Sequence, residues 1–231
     1  MNGSILHDVE TIKKQSTKET ITSLLRFGIG HSPYFKIEDV DWSDVEAFAK
    51  SQGLSAIMLD GIRRLPDEKK PDQSILSKIE EDAAERIEPL VMMGEKPRQQ
   101  QSACGEVILI IQQFAKLFIS EKITFRHILE WAYYVENHQK EIDWSQLQTD
   151  LDKKHLRDFF NCLNAICVED LGFPSEIFHV VQFVPEQKER ILDEMFSWGY
   201  LDLSSKGIIA RCLRNFYCWK TRGRRYKLCY R

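Results

Sequence analysis

Asp39-Val40-Asp41 is the carboxylate pair in this 231-residue chain whose spacing best suits metal-assisted phosphoryl chemistry. On a strand, carboxylates two residues apart share a face and could hold Mg²⁺ ions. An apolar stripe of Val45, Phe48 and Ala49 follows the pair, however, at helical spacing. Asp41 therefore reads better as an N-cap whose carboxylate accepts the free backbone N–H groups of a first turn. The run Glu80-Glu81-Asp82, with Glu85 and Glu88, reads as a solvated helix face.

His7, His31, His127, His138, His155 and His179 stand in no ligand spacing, so no zinc centre is expected. Cys104, Cys162, Cys167, Cys212, Cys218 and Cys229 form no C-x-x-C pair and are expected as free thiols. Cys162 and Cys167 lie five residues apart, about 140° around a helix, which favours core packing over a shared face. No nucleophile elbow, P-loop or dinucleotide fingerprint is present, and Gly28-Ile29-Gly30 follows a helix rather than a strand. The expectation is no catalytic set, no metal and no cofactor.

The last candidate is electrostatic. Residues 206–231 hold nine Lys/Arg and no Asp/Glu, although the whole chain carries a net charge of −3. Arg211, Arg214, Lys220, Arg222, Arg224, Arg225 and Lys227 alternate there with Phe216, Tyr217, Trp219, Tyr226 and Tyr230. Cations and flat rings together suit nucleic acid, through phosphate contacts and base stacking. They also suit an anionic membrane surface. The plainer reading is a terminal helix packed by its aromatics, with solvated charges. Exposed charges contribute under about 1 kcal/mol each. Replacing Arg222, Arg224 and Arg225 by Ala is thus expected to leave stability nearly unchanged.

The elements that would position these groups are helical almost throughout. A 3.6-residue apolar period marks Thr17–Phe27, a helix from Asp41 to Gly53, Leu54–Arg64, and a longer helix over 75–90 disturbed at Pro89. Glu106–Ser120 is apolar nearly all round and reads as a central buried helix. Phe125, Ile128, Leu129, Ala132 and Val135 make a further stripe. Asp143, with Gln146 three residues on, has the form of a capping box, and the pattern then runs to Cys167 until Gly172 and Pro174 stop it. Glu186–Trp198 and Lys206–Lys220 complete the series. No stretch alternates as a strand would. The fold class expected is all-α, an irregular multi-helix bundle. Its divisions are a polar arm (1–16), a helical region (17–93), a linker (94–105), a second helical region (106–205) and a basic aromatic tail (206–231). Residues 1–20 have no apolar signal core and no run is long enough to span a bilayer, so a cytoplasmic protein is expected. Trp131 and Trp144 are both expected to be buried.

Two segments resemble a known family. Asp41-Trp42-Ser43-Asp44-Val45, Ala49 to Leu54 (with Gly53), and Leu59-Asp60-Gly61-Ile62 resemble the N-terminal helical arm of an uncharacterised bacterial nucleotidyltransferase family in the DNA-polymerase-beta-like superfamily. Arg126, Leu129, Glu130, Trp131 and Ala132, then Glu141-Ile142-Asp143-Trp144 and Leu171 to Pro174, resemble its C-terminal arm. The resemblance covers about half the chain. In that family a metal-binding α/β palm joins the arms. Here its Lys-Gly turn and Gly-Asp-Ile-Asp-Leu-like strand are missing, and Arg86 to Glu106 leaves no room for a palm. Gln112, Gln113, Ala115 and Lys116 replace the family's central-helix histidines, and Trp198-Gly199-Tyr200 stands where a Gly-Asn pair is usual. The resemblance therefore implies ancestry and the fold of two arms. It implies a remnant or a helper of an intact family member rather than Mg-dependent transfer by this chain. The alternatives are a helical polyanion-binding module or an active transferase with a site of another form.

Overall fold

The computed structural model describes residues 18–32, 40–85, 102–179, 183–199 and 208–230, with side chains described at all but 198–199 and 208–218. Among these the protein is all-α, without a strand. The helices are α1 (residues 18–28), α2 (Trp42–Gln52), α3 (Ser55–Arg63), α4 (Gln73–Glu85), α5 (Ala103–Ile119), α6 (Phe125–His138), α7 (Trp144–Lys153), α8 (Arg157–Ala165), α9 (Pro185–Gly199) and α10 (Ile208–Cys229). The polar arm, Pro89, residues 94–101 of the linker and Asp39 lie outside the described residues. The chain divides into two compact units, α1–α4 with Asp170–Gly172 and α5–α10.

In the first unit local chemistry sets the helix ends. Asp41 accepts from the backbone N–H groups of Ser43 and Asp44 at 3.2 and 3.3 Å and starts α2. Gly53 (φ 68°) ends it, and the Leu54 N–H reaches back to the Ala49 carbonyl at 2.8 Å. A left-handed residue at this position is easiest for glycine. Gly28 has a different role from the helix-breaking one its sequence context indicates. It lies inside α1, against α3, and a Cβ there would sit 2.3 Å from the Ile57 carbonyl oxygen. On the α3 side, a Cβ at Gly61 would meet Leu24 at 3.0 Å. Two glycines thus let two backbones cross closely, and Gly30 (φ 81°) takes the turn that follows. Ile21, Leu24, Leu25, Val45, Phe48, Met58 and Ile62 fill the core around this crossing.

Asp82 corrects the solvated-face reading of its acidic run. It is only 5 % exposed and accepts from Ser55 Oγ at 2.6 Å, with Lys50 Nζ at 3.9 Å. A buried carboxylate needs such partners, because desolvation penalises an unpaired charge heavily. Here they fasten α4 to α3 and α2.

The second unit departs from expectation at three element boundaries and in the burial of one helix. Ser102 caps α5 by accepting from the Gly105 N–H at 3.3 Å, so Ala103-Cys104-Gly105 belongs to the helix rather than to a linker. α5 is not buried all round: Leu109, Gln113, Lys116 and Ser120 form a solvent-facing stripe. The run expected to continue from Asp143 to Cys167 is broken at His155, whose positive φ (56°) separates α7 from α8. No Gly or Pro marks that break. Finally, α10 continues past Lys220 to Cys229, taking Gly223 into its interior. An interior helical glycine costs about 1 kcal/mol relative to Ala, and burial of Arg225, Leu228 and Cys229 offsets it.

Candidate functional site

The basic end of α10 has two unlike faces. Its inner face packs on α5 and α8. There Arg225 is 1 % exposed. Its Nε donates to the Ile119 carbonyl at 3.1 Å and one terminal nitrogen donates to Thr221 Oγ1 at 2.8 Å. The same nitrogen pairs with the buried Glu121 carboxylate and lies 3.7 Å from Glu194. Glu121 holds a left-handed backbone (φ 58°) at the end of α5, which aims its side chain at this guanidinium. Gln187 Nε2 donates to the Leu228 carbonyl at 2.7 Å and ties α9 to the same face. Burial pushes the Cys229 thiol far above its ordinary value, opposed only by Arg225, so it stays protonated at physiological pH.

The outer face is aromatic and cationic. At 100° per residue, positions 219, 223, 226 and 230 fall within about 60° of one another. Trp219 is 70 % exposed and Tyr226 54 % exposed. The rings of Tyr226 and Tyr230 stack at 4.7 Å with an interplanar angle of 28°. A Cβ added at Gly223, between Trp219 and Tyr226, would meet nothing within 4 Å. Lys220, Arg222 and Lys227 are exposed beside this ridge. Burial, then the neighbouring Cys229 and Tyr226, raises the Tyr230 phenol, which therefore remains neutral.

Seven cations of the C-terminus were candidates on sequence, and the structure sorts them. Lys220, Arg222 and Lys227 face solvent. Arg224 is exposed but paired with Glu194. Arg225 is a correction: its charge is neutralised inside the unit, so it is not presented to a ligand, and its removal is not neutral for stability. The side chains of Arg211 and Arg214 lie outside the described ones. The sequence places an Arg at 222, 224 and 225 alike, and only helix phase separates them.

The residues that carry the family resemblance have structural employment. Asp41 and Gly53 close the ends of α2, and Trp42 is its half-buried first residue. Arg126 and Glu130 pair at 3.1 Å across one turn of α6. Burial raises the Glu130 carboxyl and the Arg126 hydrogen bond opposes that rise. Asp143 caps α7 by accepting from the Gln146 N–H at 3.0 Å, while the Gln146 side chain turns to Asp150, so the box is not reciprocal. Trp131 is buried and donates to Asn164 Oδ1 at 2.9 Å. Trp144, expected buried, is half-buried: it donates to the Gln139 carbonyl at 3.3 Å and stacks on exposed His179 at 4.6 Å. Cys104, Cys162, Cys167 and Cys229 are buried thiols that are not disulfide-bonded. Among the described residues, no three His, Cys, Asp or Glu side chains converge in a metal-ligating arrangement.

His127, passed over on sequence, caps α6. Its Nδ1 accepts from the Thr124 N–H at 3.0 Å, which requires an unprotonated Nδ1. Burial, then Arg126, lowers its basicity below the usual histidine value. Above that usual value both folded and unfolded states are neutral here, and the group contributes nothing. As pH falls through it, the unfolded chain takes up a proton that the fold refuses, and stability drops until the folded-state value is reached. Thermal melts from pH 8 to pH 5 should therefore show a steeper acid loss for the native chain than for His127→Gln, which keeps an acceptor for the Thr124 N–H. Parallel curves would show that the fold does not lower the proton affinity of His127.

The protein is thus an all-α chain with one helix presenting a basic aromatic ridge. Compared with protein-family models, curated proteins and solved structures, the chain matches none.

Proposed function

We propose that this chain works by binding rather than by transfer, as a non-catalytic helical protein that holds a polyanion on the outer face of α10. The observation that carries the reading is the division of α10 into two faces. Arg224 and Arg225 are consumed by Glu194 and Glu121, while Lys220, Arg222 and Lys227 project to solvent beside Trp219 and Tyr226. Cations held on the two flanks of a rigid helix face attract phosphates by counterion release, without reference to sequence. The resemblance to nucleotidyltransferase arms without their palm fits a chain that retained a scaffold and works beside an intact relative.

Polyphosphate is the direct probe, since it offers charge alone. Binding should weaken with salt along a log–log slope of about −2, as expected for roughly three neutralised phosphates. Lys220→Ala, Arg222→Ala and Lys227→Ala combined should weaken it at least tenfold at low salt, with thermal stability within about 1 kcal/mol of the parent. Absence of binding at low salt, or indifference to the triple substitution, overturns the proposal.

The non-catalytic half of the reading rests on Asp41, whose carboxylate is already accepting two N–H groups of α2. Incubation with Mg²⁺ or Mn²⁺ and each labelled nucleoside triphosphate should give no transfer. Turnover abolished by Asp41→Ala in a folded variant contradicts it.

A further inference from the structure

Resting on that reading, we infer that the polyanion is a single-stranded nucleic acid, with bases seated over Gly223 between Trp219 and Tyr226. Three observations point there. Flat aromatic surface is the exposed apolar component of this face: Trp219 is 70 % and Tyr226 54 % exposed. The Tyr226–Tyr230 stack holds the Tyr226 ring in place, so little conformational freedom is lost when a base lies on it. Gly223 leaves open space where any other residue would project a side chain between the two rings.

The spacing admits stacked bases. Seven residues of α-helix separate Trp219 from Tyr226, about 10 Å along the axis. That is about three stacking steps of about 3.4 Å, the span of two bases between two rings. Lys220 and Lys227 on one flank and Arg222 on the other are placed to hold the phosphates that follow. A duplex keeps its base faces stacked inside the helix and cannot use such a slot. A helix that lies in a lipid surface buries a continuous apolar face of Trp, Phe and Leu. On this part of α10 the exposed rings of Trp219 and Tyr226 are separated by Gly223, and Leu228 is buried in the protein. Charge complementarity and exposed rings together therefore favour unpaired bases.

The full chain should be titrated with a dT15 oligonucleotide, a 15-base-pair duplex, polyphosphate of matched charge, and phosphatidylcholine vesicles containing phosphatidylserine. The oligonucleotide is expected to bind at least tenfold tighter than duplex or polyphosphate and to quench tryptophan emission, with the quench lost in Trp219→Phe. Gly223→Leu fills the slot and keeps every charge. It should cost about tenfold or more in oligonucleotide affinity while polyphosphate binding persists, and Tyr226→Ala should act likewise. Melting curves confirm that each variant is folded. Equal affinity for oligonucleotide and polyphosphate, or an oligonucleotide affinity indifferent to Gly223→Leu, overturns the base-stacking inference and leaves the polyanion reading standing. Tighter binding to the anionic vesicles overturns it in favour of a lipid surface. Failure to bind any of the four overturns both.

Discussion

Replacing Arg225 by Ala will lower the unfolding free energy by about 3–5 kcal/mol, the cost of removing one partner of a buried ion pair. At this chain length the melting temperature should fall by on the order of 10 °C. The guanidinium is 1 % exposed and serves the Ile119 carbonyl, Thr221 and the Glu121 carboxylate at once. Removing it leaves Glu121, itself only 6 % exposed, without its cation and Ile119 without a donor. Solvent cannot easily compensate so enclosed a charge. Arg222→Ala, on the same helix but exposed, should change stability by under about 1 kcal/mol. The contrast between two arginines three residues apart is the test of the helix phase. A double variant isolates the cause. Arg225→Met with Glu121→Gly removes both charges, and glycine carries no penalty at φ 58°, where other residues lose about 1 kcal/mol. It should recover at least half of the loss. A double variant no more stable than Arg225→Ala would place the effect in packing instead of charge.

Trp131→Ala should destabilise the second unit by about 3–5 kcal/mol through the cavity left by a fully buried indole. The ring packs edge-on to Phe160 at 5.9 Å and beside Tyr134 at 5.9 Å, and its Nε1 donates to Asn164 Oδ1. Packing and hydrogen bonding can be separated. Trp131→Phe keeps much of the volume but strips the donor from buried Asn164, at a cost of about 1–3 kcal/mol. Combining it with Asn164→Leu removes the polar group as well and should restore part of that loss. Urea midpoints read all three variants, provided the slope with denaturant stays constant. A change below about 1 kcal/mol for Trp131→Ala would mean that the indole is not part of the core.

Which features were legible follows from how far apart the interacting groups lie in the chain. Asp41, Gly53 and Asp143 are readable because a cap joins groups a few residues apart, and the residue type nearly determines the bond. The apolar stripes of α2, α4 and α6 are readable because their period is a property of one helix. The break at His155 was missed because a positive φ at a non-glycine residue leaves no mark in composition. Asp82 looked solvated beside Glu80 and Glu81, since its partner Ser55 lies 27 residues away.

The sequence by itself determined the helical class of the described residues, the caps at Asp41, Gly53 and Asp143, and the collection of positive charge and aromatic rings near the C-terminus. Tertiary structure alone decided which of those charges remain for a ligand. Arg225 meets Ile119 across 106 residues and Arg224 meets Glu194 across 30, while Lys220, Arg222 and Lys227 turn outward. The physical reason is that helix phase and long-range burial divide like residues between core and surface. Gly28 follows the same rule, for its missing side chain has meaning only where the Ile57 carbonyl of α3 comes to lie against it.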